Sequence, residues 1–175
     1  MHIPGNLTIT AANLAEYQDV TSVEGDLVIR APDASLPAIT SIGGDLMIFA
    51  PDASLLAITS IGKSIWIHAD GASLPALTSV SGDRIADPET ARARLAEVAK
   101  HALAEPDALK MGLWHNCSTT HCVAGWAIHL AGEYGRDLEK RFGSCAAGNI
   151  LLGVEGSQLF FLTKEEATAR LREYL

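Results

Sequence analysis

One 19-residue unit is written three times between residues 21 and 77, and this repetition restricts the possible folds more than any other feature of the chain. The copies are TSVEGDLVIRAPDASLPAI (21–39), TSIGGDLMIFAPDASLLAI (40–58) and TSIGKSIWIHADGASLPAL (59–77), and TSVSGD opens a fourth at residue 78. A unit this short cannot bury an apolar face alone, so the copies must stack as coils of a solenoid. Stacking turns each alignment column into a row along the solenoid. Val23, Ile42, Ile61 and Val80 form one row, Leu27, Leu46 and Ile65 a second, and Ile29, Ile48 and Ile67 a third. Leu36, Leu55 and Leu74, then Ile39, Ile58 and Leu77, complete the expected core.

The segments GDLVIR, GDLMIF and KSIWIH alternate as strands do, with their first and third apolar residues inward. Val28, Met47 and Trp66 must then face outward, and beside them Arg30, Phe49 and His68. A solvated sheet face carries polar residues, so an apolar and aromatic row needs a cover. The chain's own helical half, a second copy in a homodimer, or another protein would each supply one. Stacking also aligns two acidic sets. Asp33, Asp52 and Asp70 lie in the turn segments, while Asp26, Asp45 and Asp83 form a second row interrupted by Ser64. Such aspartates either cap local turns or make an acidic strip that a cationic partner neutralises. GNLTIT (5–10) matches the strand part of the unit and reads as a divergent first coil, followed at 11–17 by a short helix that caps the stack.

At Arg84 a charge breaks the inward column, and Asp87, Pro88 and Glu89 then supply an N-cap, a first-turn proline and a first-turn acid. The spacing predicts a helix over 88–104, stopped by Pro106, and so a solenoid domain at 1–86 and a helical domain at 87–175. Further helices are expected at 119–130 behind a Ser118 cap, at 136–141 ending near Gly143, and at 145–152 opened by Ser144. A last one, at 164–174, begins with the Thr163/Glu166 capping box.

The formal net charge of −8 is carried unevenly: residues 1–87 hold ten acids against three bases, residues 88–175 eleven against ten. This balance disfavours direct nucleic-acid binding and favours a partner protein with a basic surface. No apolar run is long enough to span a bilayer, and MHIPGNLTIT lacks the pattern of a secretion leader, so no membrane role and a cytoplasmic location are expected. Cys117, Cys122 and Cys145 are then free thiols.

The densest group of reactive residue types is WHNCSTTHC at 114–122. His115, Cys117, His121 and Cys122 admit three readings: an activated thiol, a zinc site, or a hydrogen-bonded turn that locks helices together. The third is favoured, because adjacent His121 and Cys122 on a helix would diverge by about 100° and Cys117 has no clear orienting group for a histidine base. No catalytic residue is assigned and no cofactor is expected; the phosphate-binding, dinucleotide and serine-elbow motifs are absent.

LPAITSIGGDLMI resembles the leucine-rich-repeat-like coils of receptor L-domain type solenoids, over about residues 7–83. The second half, through Trp114, His115, Cys117, Thr119, His121, Cys122, Ala124, Gly125 and Trp126, resembles a WHxCxTxHCxAGW module of uncharacterised phage and bacterial proteins. The resemblance implies an α/β chain: a short right-handed leucine-rich-like β-solenoid, then a small all-helical domain covering its end or one side. It also implies a binding protein of the phage or mobile-element inhibitor type and not an enzyme. The binding residues expected are Asp26, Asp33, Asp45, Asp52, Asp83, Met47, Phe49, Trp66 and His68. A sharper version is an acidic DNA mimic, anti-CRISPR-like, that blocks a basic groove of a host defence complex.

Overall fold

Each copy of the repeat closes one coil from two short strands and a bridged corner. In the computed structural model, which describes residues 1–69, 71–112, 115–117 (backbone only) and 120–175, the strands are β1 (His2–Ile3), β2 (Leu7–Ile9), β3 (Ser22–Val23), β4 (Leu27–Ile29), β5 (Ser41–Ile42), β6 (Leu46–Ile48), β7 (Ser60–Ile61), β8 (Ile65–Ile67), β9 (Ser79–Val80) and β10 (Asp83–Arg84). They alternate between two sheets. One is ordered β1-β3-β5-β7-β9-β10 and the other β2-β4-β6-β8. Pairing is parallel with equivalent residues aligned, Ser22 with Ser41 and Ser60 with Ser79, Leu27 with Leu46 and Leu46 with Ile65. Bridges from Ser35 to Ser54 and from Ser54 to Ser73 mark the third side. The result is a parallel β-solenoid of about four turns.

The expected rows are its interior. Leu27, Leu46, Ile65, Ile29, Ile48, Leu36, Leu55, Ile39 and Ile58 are fully buried. Val20, one period before Ile39 and also fully buried, adds a member that the sequence reading lacked. Burying each such side chain stabilises the stack by about 1.5–3 kcal/mol, realised only when a neighbouring coil is present.

Polar side chains tie the coils together from outside. Asn6 Oδ1 accepts the Asp26 N–H, Asp26 Oδ1 the Asp45 N–H and Asp45 Oδ1 the Ser64 N–H, each at 2.8 Å. The threonines that open each copy make a second ladder: the Oγ1 of Thr40, Thr59 and Thr78 donates to the carbonyl of the threonine one coil before, at 3.0–3.1 Å.

Both ends of the solenoid are closed by local chemistry. At the first coil the Asn13 side chain takes the place of a neighbouring strand, its Oδ1 accepting the Thr10 N–H at 2.7 Å and its Nδ2 donating to the Thr8 carbonyl at 3.0 Å. A 3-10 turn at Leu14–Tyr17 follows, where the sequence suggested a capping helix. At the far end Ser81 and Gly82 both take positive φ (54° and 81°), which reverses the chain, so β10 pairs antiparallel with β9.

The chain divides into two compact units, Met1–Arg84 and Ile85–Leu175. In the second, α1 (Pro88–Ala102) starts at Asp87, whose carboxylate accepts the Thr90 N–H at 2.9 Å. The strands β11 (His115–Cys117) and β12 (Thr120–His121) pair antiparallel, so β12 stands where the helix expected from 119 would begin, and α2 is only Val123–Leu130. The expected helices at 136–141 and 145–152 belong to one element, α3 (Gly132–Ser157), broken at Gly143 (φ 83°) and Gly153 (φ 61°). The second break frees carbonyls that other groups take up: Arg94 donates to the Leu151 carbonyl and the Ala86 N–H to that of Ile150, both at 2.9 Å. Finally, α4 (Lys164–Arg172) begins with the Thr163/Glu166 capping box. Among the described residues no helix is long and apolar enough to cross a membrane.

Candidate protein-binding face

Strand parity writes a grid of side chains on the outer face of the β2-β4-β6-β8 sheet. Along one strand the outward positions are Asp26, Val28 and Arg30; along the next Asp45, Met47 and Phe49; along the third Ser64, Trp66 and His68. Register places Val28, Met47 and Trp66 side by side, one coil apart. These three are half-buried between inward neighbours that are fully buried or nearly so. The expected apolar row therefore lies on the outside of the sheet.

The next row is a stack of planes. Phe49 and His68 lie ring on ring, with centroids 4.7 Å apart and planes 8° from parallel, and the Arg30 guanidinium covers Phe49 at 4.5 Å. The spacing is that of the coils themselves, about 4.8 Å, so the backbone pre-arranges the stack. Partial burial on this face holds the His68 imidazole below the ordinary histidine range. A neutral ring stacked on Phe49 adds apolar area to the patch, of which Phe49 alone is 39% exposed.

The acidic residues are sorted differently from the sequence reading. Asp26 and Asp45 do form a row beside the apolar one, but each gives one oxygen to the backbone of the next coil and caps no local turn. Asp83 leaves this row: the reversal at Ser81–Gly82 puts it opposite Val80 in the antiparallel pair. Asp33 and Asp52 occupy the exposed corner in left-handed conformation (φ 52° and 56°), and the third copy has Gly71 (φ 81°) in that column. Asp70, which was grouped with them, falls in the proline column of Pro32 and Pro51 and lies outside the described residues. The face thus has an apolar and aromatic centre with carboxylates along both sides.

The Cys/His segment is in the helical unit. The side chains of His115 and Cys117, with Trp114, Ser118 and Thr119, lie outside the described residues. His121 ends β12 and is buried, edge-on to Trp126 with centroids 4.8 Å apart and stacked on His129 at 5.0 Å. Trp126 is anchored by its indole N–H on the Ala108 carbonyl at 2.9 Å, and His101 stacks on it at 5.7 Å. Cys122 is the N-cap of α2, its Sγ accepting the Gly125 N–H at 3.4 Å. Burial pushes its thiol up, against the opposing pull of that N–H. A thiol held protonated is a poor nucleophile. Among the described residues no three His, Cys, Asp or Glu side chains converge as a metal site would require.

Comparison with family models, with curated proteins and with solved structures finds no match to this chain. The reading of function therefore rests on the geometry itself.

Proposed function

We propose that this chain is a protein-binding protein that docks a partner on the outer face of the β2-β4-β6-β8 sheet. The observation that carries this reading is the row Val28–Met47–Trp66 beside exposed Phe49, bordered by Asp26 and Asp45 on one side and Asp33 and Asp52 on the other. Apolar centres rimmed by charge are the usual anatomy of an interface core, with Trp and Met among its enriched residues. A complementary partner offers an apolar anchor ringed by Lys or Arg. The coils are of leucine-rich-repeat-like character, and an inhibitor of the phage or mobile-element kind, acting in the cytoplasm, fits such a scaffold.

A second reading keeps the same face but gives the weight to charge. Residues 1–84 hold nine acids and three bases, and Lys63 reaches Asp26 only at 3.9 Å. An acidic surface of this kind can occupy a basic groove as a nucleic-acid mimic.

Affinity capture from a host lysate tests both, with the parent chain, Met47→Ser/Trp66→Ser and Asp26→Asn/Asp45→Asn compared side by side. Under the first reading the partner is lost with the serine pair and held more weakly by the asparagine pair. Under the second it is lost with the asparagine pair and released by moderate salt. Equal retention by all three chains would sink both, and sedimentation of the parent alone tells whether the partner is a second copy.

A further inference from the structure

The geometry points to a nucleophilic serine on the opposite sheet of the solenoid: Ser22, with His2 as its base and Glu24 as the group that orients the base. Ser22 Oγ lies 2.8 Å from His2 Nδ1, and His2 Nε2 lies 3.2 Å from Glu24 Oε1. The direction of these bonds follows from the donors available. An ionised carboxylate only accepts, so Nε2 carries the proton, and the neutral ring then has Nδ1 as its acceptor. Ser22 must donate. This is the arrangement of hydroxyl, imidazole and carboxylate that generates a serine alkoxide during attack. It is independent of the protein-binding reading and departs from the expectation that the chain has no catalytic residue.

The three residues line a groove of about 470 Å³ that runs along the sheet past Ser41 and Ser60. Register puts Ser41 one coil from Ser22, where its hydroxyl can donate to an oxyanion; the N–H groups of Gly43 and Glu24 are already spent on the Val23 and Ile3 carbonyls. A hydroxyl recurs every coil along the groove, at Ser22, Ser41, Ser60 and Ser79. The substrate class that fits is a short-chain O-acyl ester of a polyhydroxylated compound such as a sugar acetate.

In the first step Ser22 Oγ attacks the acyl carbon while His2 Nδ1 takes the serine proton. The ester C–O bond breaks and the leaving alcohol departs with that proton. Water then adds to the acyl-serine, its proton passing to His2 and on to Ser22 as the acid leaves. Ester and water give acid and alcohol, and no other reactant is needed. The side chains of His2 and Glu24 are 53% and 63% exposed, so the carboxylate orients the ring more than it polarises it, and turnover is slow.

A fluorophosphonate probe and acetate release from p-nitrophenyl acetate and from glucose pentaacetate test the assignment on the full chain. The probe is expected to add once, on the peptide carrying Ser22, and the parent to release acetate from both esters. Ser22→Ala abolishes labelling and release, and His2→Gln lowers kcat by on the order of 10²-fold or more. Glu24→Gln lowers kcat with KM unchanged, and Glu24→Asp recovers part of the loss. Labelling elsewhere with Ser22 untouched, or parental rates in Ser22→Ala, would overturn the proposal; release from the nitrophenyl ester alone would overturn the substrate class. Since labelling is read on the parent, a variant that fails to fold does not rescue or spoil the result.

Discussion

Asp26 and Asp45 are joined through the backbone: the carboxylate of the first accepts the N–H of the second at 2.8 Å, across one full coil. The two residues that look most like a binding strip therefore also hold the coils in register, and charge and scaffold must be separated by the choice of substitution. Asparagine keeps the acceptor oxygen, as Asn6 shows by holding the Asp26 N–H in the coil below. Asp26→Asn/Asp45→Asn should stay within about 1 kcal/mol of the parent in denaturant unfolding, whereas Asp26→Ala, which strands an N–H, should cost about 1–3 kcal/mol. If alanine and asparagine are equally harmless, the ladder contributes nothing and the row is free to be read as pure surface charge.

The ladder also dictates what stands beside it. A Cβ on Gly44 would fall 2.1 Å from Asp26 Oδ1 and 2.7 Å from the Gly25 carbonyl carbon, so Gly44→Ala forces either the carboxylate or the coil to move. Loss of the cooperative transition, or a fall of several degrees in Tm, is expected by circular dichroism. Gly82→Ala fails for another reason, since nothing lies within 4 Å of its Cβ but φ is 81°. Its cost should be the smaller of the two.

How much of this was legible without coordinates depends on how far apart the partners are in sequence. The columns from Leu27 to Ile65 and from Ile29 to Ile67 follow from the period alone, and the outward place of Met47 and Trp66 follows from parity. The Asp ladder does not, because its acceptor and donor are 19 residues apart and an aspartate before an apolar run reads equally well as a turn former. Asp83 was misplaced because SGD continues the repeat in spelling, while positive φ at Ser81 and Gly82 ends it in space. At Thr120–His121 the alternative to a helix start was a strand, and tertiary pairing of His121 with the Ala108–Lys110 backbone decided for the strand. His101 lies too far in sequence from Trp126 to be linked to it without the packing of α1 on α2, whereas His129 is one helical turn from Trp126 on α2 itself.

Burial of Cys122 sets its chemistry. With 2% of the residue exposed and the thiol pushed up by desolvation, it should resist alkylation in the folded chain. Iodoacetamide at neutral pH, followed by peptide mass spectrometry, should leave Cys122 unmodified until denaturant is added. Because the Sγ serves α2 as an N-cap acceptor, a role that a serine hydroxyl also fills, Cys122→Ser should fold with little change in stability. Rapid native-state alkylation of Cys122 would revive the thiol reading of the 115–122 segment.

Arg94 is expected to matter for folding more than for charge. Its guanidinium donates to the Leu151 carbonyl next to the break at Gly153. Arg94→Met keeps most of the aliphatic stem but leaves that carbonyl without the guanidinium, at a cost of about 1–3 kcal/mol in denaturant unfolding. Arg94→Lys should recover only part of it, since the ammonium lacks the planar fork. Equal stability of all three chains would show that the break in α3 does not need the guanidinium.

The capping box of α4 gives the helical unit a defined acid response. The Thr163 N–H and hydroxyl both donate to Glu166, at 2.9 and 2.8 Å, and hold its carboxyl below the ordinary glutamate range. A carboxyl whose folded pKa is depressed binds fewer protons folded than unfolded, so its contribution is fully present above the unfolded value and is lost as pH falls through the folded one. Stability measured from pH 6 downward should therefore decline less steeply in Glu166→Gln than in the parent, although glutamine, which can still accept from Thr163, leaves the fold intact. Thr163→Ala removes the hydroxyl and the reciprocal bond to the Glu166 N–H at 3.3 Å, and should lower Tm at every pH. If the parent and Glu166→Gln profiles run parallel through the acid range, the box does not couple protonation to folding, and the depression of Glu166 has no consequence for stability.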